Sequence, residues 1–86
     1  MKIYLVGDYG PEHYTIKSIH KTYKGALKAW NKHRMRLLSE AGYFVTREPK
    51  ETMWKDMVKN LSCKDPKKMD NDAWDTPYIQ EKDVVD

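Results

Sequence analysis

Apolar and polar positions first alternate with a period of two and then, from residue 23 onward, recur at a spacing near 3.6, so the chain reads as strands followed by helices. Lys2 to Gly7 carries β-branched or aromatic side chains at Ile3, Tyr4 and Val6, which predicts a strand. Asp8, Tyr9, Gly10 and Pro11 are turn formers. Glycine tolerates positive φ and proline offers no N–H to a ladder, so the strand is expected to stop there. Alternation resumes over His13 to His20, with Tyr14, Ile16 and Ser18 assigned to one side and Thr15, Lys17 and Ile19 to the other. The two runs predict an antiparallel hairpin.

Thr22 is suited to cap a helix over Tyr23 to Ala41, because its hydroxyl accepts from a first-turn amide and no proline interrupts the run. Advancing ~100° per residue from Tyr23 brings Ala26, Leu27, Trp30, Leu37, Leu38 and Ala41 within about 60° of one line. That stripe should be buried on the hairpin. Lys24, Lys28, Lys32 and Arg36 fall on the opposite half. Arg34 falls inside the apolar stripe, where it is expected to find a carboxylate or reach water at the edge. Gly42 suits the left-handed residue that closes a helix, which leaves Tyr43 to Thr46 as loop or edge strand. Pro49 fits the first turn of a second helix reaching Leu61, with Met53, Trp54, Met57, Val58 and Leu61 on one face and a Glu51–Lys55 pair on its surface. Asp65 to Asp75 reads as a loop, and Thr76 to Val85 as a last strand that joins the hairpin. The expected fold class is α+β: a small antiparallel sheet, built from the N-terminal hairpin and a C-terminal strand and covered by one long helix, with a second amphipathic helix. Residues 1–86 form a single domain in which 43–75 is a variable insertion with the second helix and an acidic loop.

Composition narrows the possibilities. With 86 residues there is room for one thin core, so three Trp, six Tyr and five Met cannot all be buried and some must face outward. No run approaches the about 20 apolar residues of a membrane span. The stretch from Met1 to Asp8 lacks the apolar region and small-residue cleavage site of a secretory signal, and the single Cys63 has no internal disulfide partner. Both predict a cytoplasmic location.

Charge is unevenly distributed. Residues 21–40 hold Lys21, Lys24, Lys28, Lys32, Arg34 and Arg36 against Glu40 alone, whereas the chain from residue 70 holds Asp70, Asp72, Asp75, Glu81, Asp83 and Asp86 against Lys82 alone. Two arrangements are open: the acidic tail lies against the basic helix and competes with any anionic ligand, or the basic surface is free for partners; in either the two ends are expected to be close.

Catalytic chemistry finds little footing. His13, His20 and His33 share no ligand spacing with each other or with Cys63, so neither metal nor cofactor is expected. Asp70, Asp72 and Asp75 sit in a polar loop and not in a pocket that would raise one pKa. Cys63 beside Lys64 reads as packing and not as a nucleophile, and Asp8, Pro11 and Glu12 bracket the glycines where a phosphate loop would need to be uncharged. Two binding readings remain. In the first, Trp74 and Tyr78, with Asp70, Asp72 and Asp75 around them, form an acidic-aromatic patch that docks a protein. In the second, the basic row Lys24, Lys28, Lys32 and Arg36 binds nucleic acid, with Tyr9 or Tyr14 available to stack on bases. A symmetric dimer through an edge strand or the second helix is also open.

The segments Lys2-Ile3-Tyr4-Leu5-Val6, Asp8-Tyr9-Gly10, Tyr14-Thr15-Ile16, Thr22-Tyr23-Lys24-Gly25-Ala26 and Tyr78-Ile79-Gln80-Glu81-Lys82-Asp83 resemble a type of small ββα…β accessory protein encoded by tailed bacteriophages. The likeness covers the first 30 residues and the last ten. It implies a sheet crossed by one helix, no catalytic residues, and a protein that binds and modulates, most often inhibits, a bacterial host protein in host takeover or counter-defence. Residues 43–75 depart from the pattern, and a shared scaffold needs such a variable part to choose its partner.

Overall fold

The computed structural model describes residues 1–10, 13–69 and 75–85. Five elements follow one another: β1 (Lys2–Gly10), β2 (His13–His20), α1 (Tyr23–Arg47), α2 (Thr52–Leu61) and β3 (Thr76–Asp83). The strands form one antiparallel sheet in the order β2-β1-β3, so the N-terminal strand is central and the chain's last strand closes the sheet beside it. The fold is α+β, with the hairpin and C-terminal strand in one sheet under a long helix. Met1 and Val84 tie the two ends together, the Val84 N–H donating to the Met1 carbonyl at 2.8 Å.

The strand β1 does not stop at the turn-forming residues. It runs through Asp8, Tyr9 and Gly10, which pair with Thr15, Tyr14 and His13 on one side, while Asp8 and Tyr9 pair with Pro77 and Thr76 on the other. Ladders on both sides hold residues whose local preference is for a turn. Strand β2 also departs from its sequence pattern. Val6 pairs with Ser18 and Gly7 with Ile16, so Lys17 is the extra residue of a bulge. A bulge reverses the alternation beyond it. Ile19 therefore joins Tyr14 and Ile16 on one face of the sheet, and Ser18 joins Thr15 on the other.

Gly7 is required where it stands. A Cβ there would overlap the Thr15 carbonyl oxygen and approach the Tyr78 hydroxyl to 2.9 Å. The missing side chain lets Tyr78, opposite Gly7 on β3, reach across β1 and donate its hydroxyl to the Thr15 carbonyl at 2.7 Å.

Helix α1 begins as its cap predicts, with the Thr22 hydroxyl accepting from the Gly25 N–H at 3.1 Å. Its end does not fall at Gly42. Tyr43 to Arg47 continue the helix, and the Glu48 N–H closes it on the Phe44 carbonyl at 2.8 Å. The reason is tertiary: Phe44 stacks on Trp54 of α2 with ring centroids 4.4 Å apart, and the Trp54 indole N–H donates to Glu48 at 2.7 Å. Pro49 lies in the connecting turn and α2 starts only at Thr52. Among the described residues Glu51 and Lys55 form no ion pair.

The core gathers Val6 of β1, Ala26, Trp30, Leu37 and Ala41 of α1, Met57 and Leu61 of α2, and Met69, with Tyr4 and Ile79 packed at its margin. The fully buried Trp30 donates its indole N–H to the Pro77 carbonyl at 3.1 Å, which pins α1 to β3. Among the described residues Arg34 meets no carboxylate, and it is closed off from solvent. It is 3% exposed, donates to the Leu61 carbonyl at 2.7 Å and to the Asn31 side-chain oxygen at 2.7 Å, and lies 5.7 Å from the Trp30 ring centroid. The last carbonyls of α2 carry the negative end of its dipole and lack helical partners, so a cation satisfies both needs at once.

Candidate functional site

Two surfaces of the sheet are distinguished by what covers them. Tyr4, Val6 and Ile79 point to the helical side, since they belong to or flank the core, and Asp8 and Thr15 share that side by register. Leu5, Tyr9, Tyr78 and Gln80 alternate with them and take the other side, together with Tyr14, Ile16 and Ile19 of β2. Among the described residues no helix packs on this second face. Tyr14, Ile16 and Ile19 are 57%, 51% and 62% exposed, while Leu5 between them is buried although it lies outside the main core.

The tyrosines on this face are fixed in place. Tyr14 stacks on Tyr78 with centroids 5.1 Å apart and donates its hydroxyl to Gln80 at 2.8 Å, and Tyr9 leans on Tyr78 from the other side at 5.7 Å. Burial holds the Tyr78 phenol well above its ordinary pKa, and the neighbouring Tyr14 and the Asp8 charge add to it, so Tyr78 is a neutral donor. Rings held by stacking and hydrogen bonds lose little freedom when a partner covers them. A hollow of about 300 Å³ lies where Tyr9, Tyr14, Tyr78 and Gln80 meet Ile79 of the opposite face and Pro66 of the segment after α2.

The helical side of the same sheet holds a buried polar cluster. Asp8 contacts the Thr15 hydroxyl and the His33 Nε2, the latter at 3.1 Å, and the Arg36 guanidinium lies 3.0 Å from His33 Nδ1. A guanidinium only donates, so Nδ1 accepts and Nε2 carries the hydrogen given to Asp8. Burial alone would raise the Asp8 pKa, but hydrogen bonds from Thr15 and His33 and the positive charge of Lys17 outweigh it and hold the carboxyl below its ordinary value. The hydroxyl in this cluster touches the carboxylate and not the imidazole, and both ring nitrogens are engaged. The arrangement therefore ties β1, β2 and α1 together and prepares no nucleophile.

Other sequence-level candidates are dispersed. Of the expected acidic-aromatic patch, Tyr78 lies on the helix-free face and Asp75 pairs with His13 at 3.1 Å near the hairpin end; Asp70, Asp72 and Trp74 lie outside the described residues. Lys24, Lys28, Lys32 and Arg36 stand exposed along α1, with the Arg36 guanidinium drawn to His33 at the margin of the sheet. Among the described residues no tail carboxylate pairs with this row: the close contacts of opposite type are Lys2–Glu81, His13–Asp75 and His33–Asp8, and Asp70, Asp72 and Asp86 lie outside the described residues. Cys63 is half-buried with its thiol 3.4 Å from the Asp65 carbonyl. No group of three or more His, Cys, Asp or Glu side chains among the described residues is placed to hold a metal ion, and no described helix is long and apolar enough to cross a membrane.

Ile16, Ile19 and His33 were not legible as site residues. The two isoleucines fall on opposite faces until the bulge is known, whereas His33, three residues after Trp30 and four before Leu37, carries a signal in its place at the margin of the buried stripe. No protein-family model, curated protein or solved structure matches the chain.

Proposed function

We propose that the protein is a binding module without chemistry of its own, whose helix-free sheet face docks an amphipathic helix of a bacterial host protein and thereby modulates that protein. The observation that carries this reading is the exposure of Tyr14, Ile16 and Ile19 side by side on one strand face. An antiparallel sheet covered on one side ordinarily turns polar side chains to the solvent on the other, whereas here the side opposite α1, which has no helical layer among the described residues, exposes two isoleucines and a tyrosine. A partner helix supplies that layer. Covering Ile16 and Ile19 contributes ~2 kcal/mol each before the cost of association. The hydroxyls of Tyr9 and Tyr14 and the Gln80 amide give the rim of such an interface its polar groups. The resemblance to small phage accessory proteins supports a bacterial host protein as the partner and inhibition as the effect.

The test is capture from nuclease-treated bacterial lysate at two salt concentrations, with wild type, Ile16→Asp/Ile19→Asp and Lys55→Glu baits compared. A single protein retained by wild type and Lys55→Glu at both salt concentrations, and lost with the double aspartate variant, is the expected result. Both isoleucines are exposed, so the variant should keep its circular dichroism. A partner retained by the double variant, or none with wild type, overturns the reading.

A further inference from the structure

The solvent side of α1 has a charge distribution that its fold does not require. Its 25 residues include Lys24, Lys28, Lys32, Arg36 and Arg47 at the surface, and Glu40 is the single acid. Exposed helices ordinarily mix signs, since opposite charges four residues apart stabilise and like charges destabilise by similar amounts. Lys24 also sits in the first turn, where the helix dipole is already positive and no acid offsets it. Lys28 and Lys32 repeat it one turn apart, a straight row of about 12 Å. Lys64 then arrives from beyond α2. It shares with Lys24, Lys28, Leu27 and Asn31 a shallow hollow of about 320 Å³, and none of these lysines has an ion-pair partner among the described residues.

We propose that this ridge binds the phosphate backbone of duplex nucleic acid, at a site separate from the sheet face. Like charges from two elements converge where they repel each other, and a polyanion relieves that repulsion by releasing its counterions. The one aromatic ring that lines the hollow, Trp30, is fully buried, so the ridge presents ammonium groups and one amide but lacks the exposed stacking platform that single strands require. Duplex phosphates need only the cations. Binding is therefore indifferent to sequence and steeply dependent on salt.

Fluorescence anisotropy with a labelled DNA duplex of mixed sequence tests this on the full chain. Wild type should bind with a log–log salt slope of about −3, as three or four phosphate contacts require. Lys24→Glu/Lys28→Glu/Lys64→Glu should weaken binding by about tenfold or more at low salt. Lys50→Glu/Lys55→Glu/Lys59→Glu makes the same change in net charge on exposed positions elsewhere and should keep affinity within about threefold. Equal losses in the two triple variants would reduce the effect to net charge and overturn the proposal. So would absence of salt-dependent binding, or preference for a labelled polyglutamate peptide over the duplex, which would assign the ridge to an acidic protein. Circular dichroism confirms that each variant is folded, and neither triple variant touches the sheet face, so this result stands apart from the capture experiment.

Discussion

At the scale of single residues, Asp8 has the most to hold together. Its carboxylate accepts from Thr15 of β2 and His33 of α1, and it stands in the central strand, so three elements meet at one side chain. Burial works against its charge, but the two hydrogen bonds and the nearby Lys17 cation prevail and leave its pKa below the ordinary value of 3.8. The sign follows directly. A carboxyl whose pKa is lower in the folded than in the unfolded chain contributes stability that is fully present above the unfolded value and is lost as pH falls through the folded one. The protein should therefore lose stability in acid just below the ordinary carboxylate range. Asp8→Asn should flatten that part of the profile, whereas Asp83→Asn, at an exposed position, should leave it unchanged. Urea unfolding midpoints measured from neutral pH downward will show this, and parallel profiles for wild type and Asp8→Asn would mean that the cluster does not stabilise the charge.

Elements were legible in the sequence where local chemistry decides them. The Thr22 cap and the row of lysines on α1 follow from one turn of helix and its 3.6 period, and both stand as read. Gly42 shows the limit. Its freedom suggests a stop, yet the stacking of Phe44 on Trp54, ten residues further along, carries α1 onward to Arg47. Lys17 shows it again, because a bulge has no composition of its own and only pairing with β1 reveals that Ile16 and Ile19 share a face. Of the residues on the proposed sheet face, Tyr78 was already a candidate from the sequence, and the isoleucines were not for that reason. A glycine kept inside a helix carries a measurable cost. A Cβ on Gly42 meets nothing within 4 Å, so Gly42→Ala should stabilise the protein by ~0.5–1 kcal/mol, read from urea unfolding. A loss of stability would place the helix end at Gly42 in solution.

The whole molecule is elongated, 52 Å in its longest dimension against 23 and 19 Å, because α1 is about 37 Å long and overshoots the sheet. Its inner half lies on β1 and β3 through Val6, Ala26 and Trp30, and its outer half makes a helical hairpin with α2 through Leu37, Ala41, Met57 and Leu61. One core thus has two lobes, and Arg34 stands at their junction with its guanidinium on the Leu61 carbonyl and near the Trp30 ring. The sheet lobe has a strand paired on both sides, and the hairpin lobe has a single helix-to-helix contact, so α2 is the part that opens first. Arg34→Met keeps the apolar stem and removes the donors, which leaves a buried carbonyl without its partner at a cost of ~1–3 kcal/mol. The cost should fall on one lobe. Native-state hydrogen exchange should show the α2 amides exchanging about tenfold faster or more in the variant, since ~1.4 kcal/mol is a factor of ten, while amides of β1 shift by no more than the global change in stability. If α2 and β1 accelerate together under conditions where the fold is otherwise stable, the lobes open as one unit and Arg34 is only part of a common core. Opening confined to α2 would leave the sheet face and the Lys24, Lys28 and Lys32 row of α1 intact but release Lys64, which follows α2, so the sheet-face surface would persist while the basic ridge loses one of its cations.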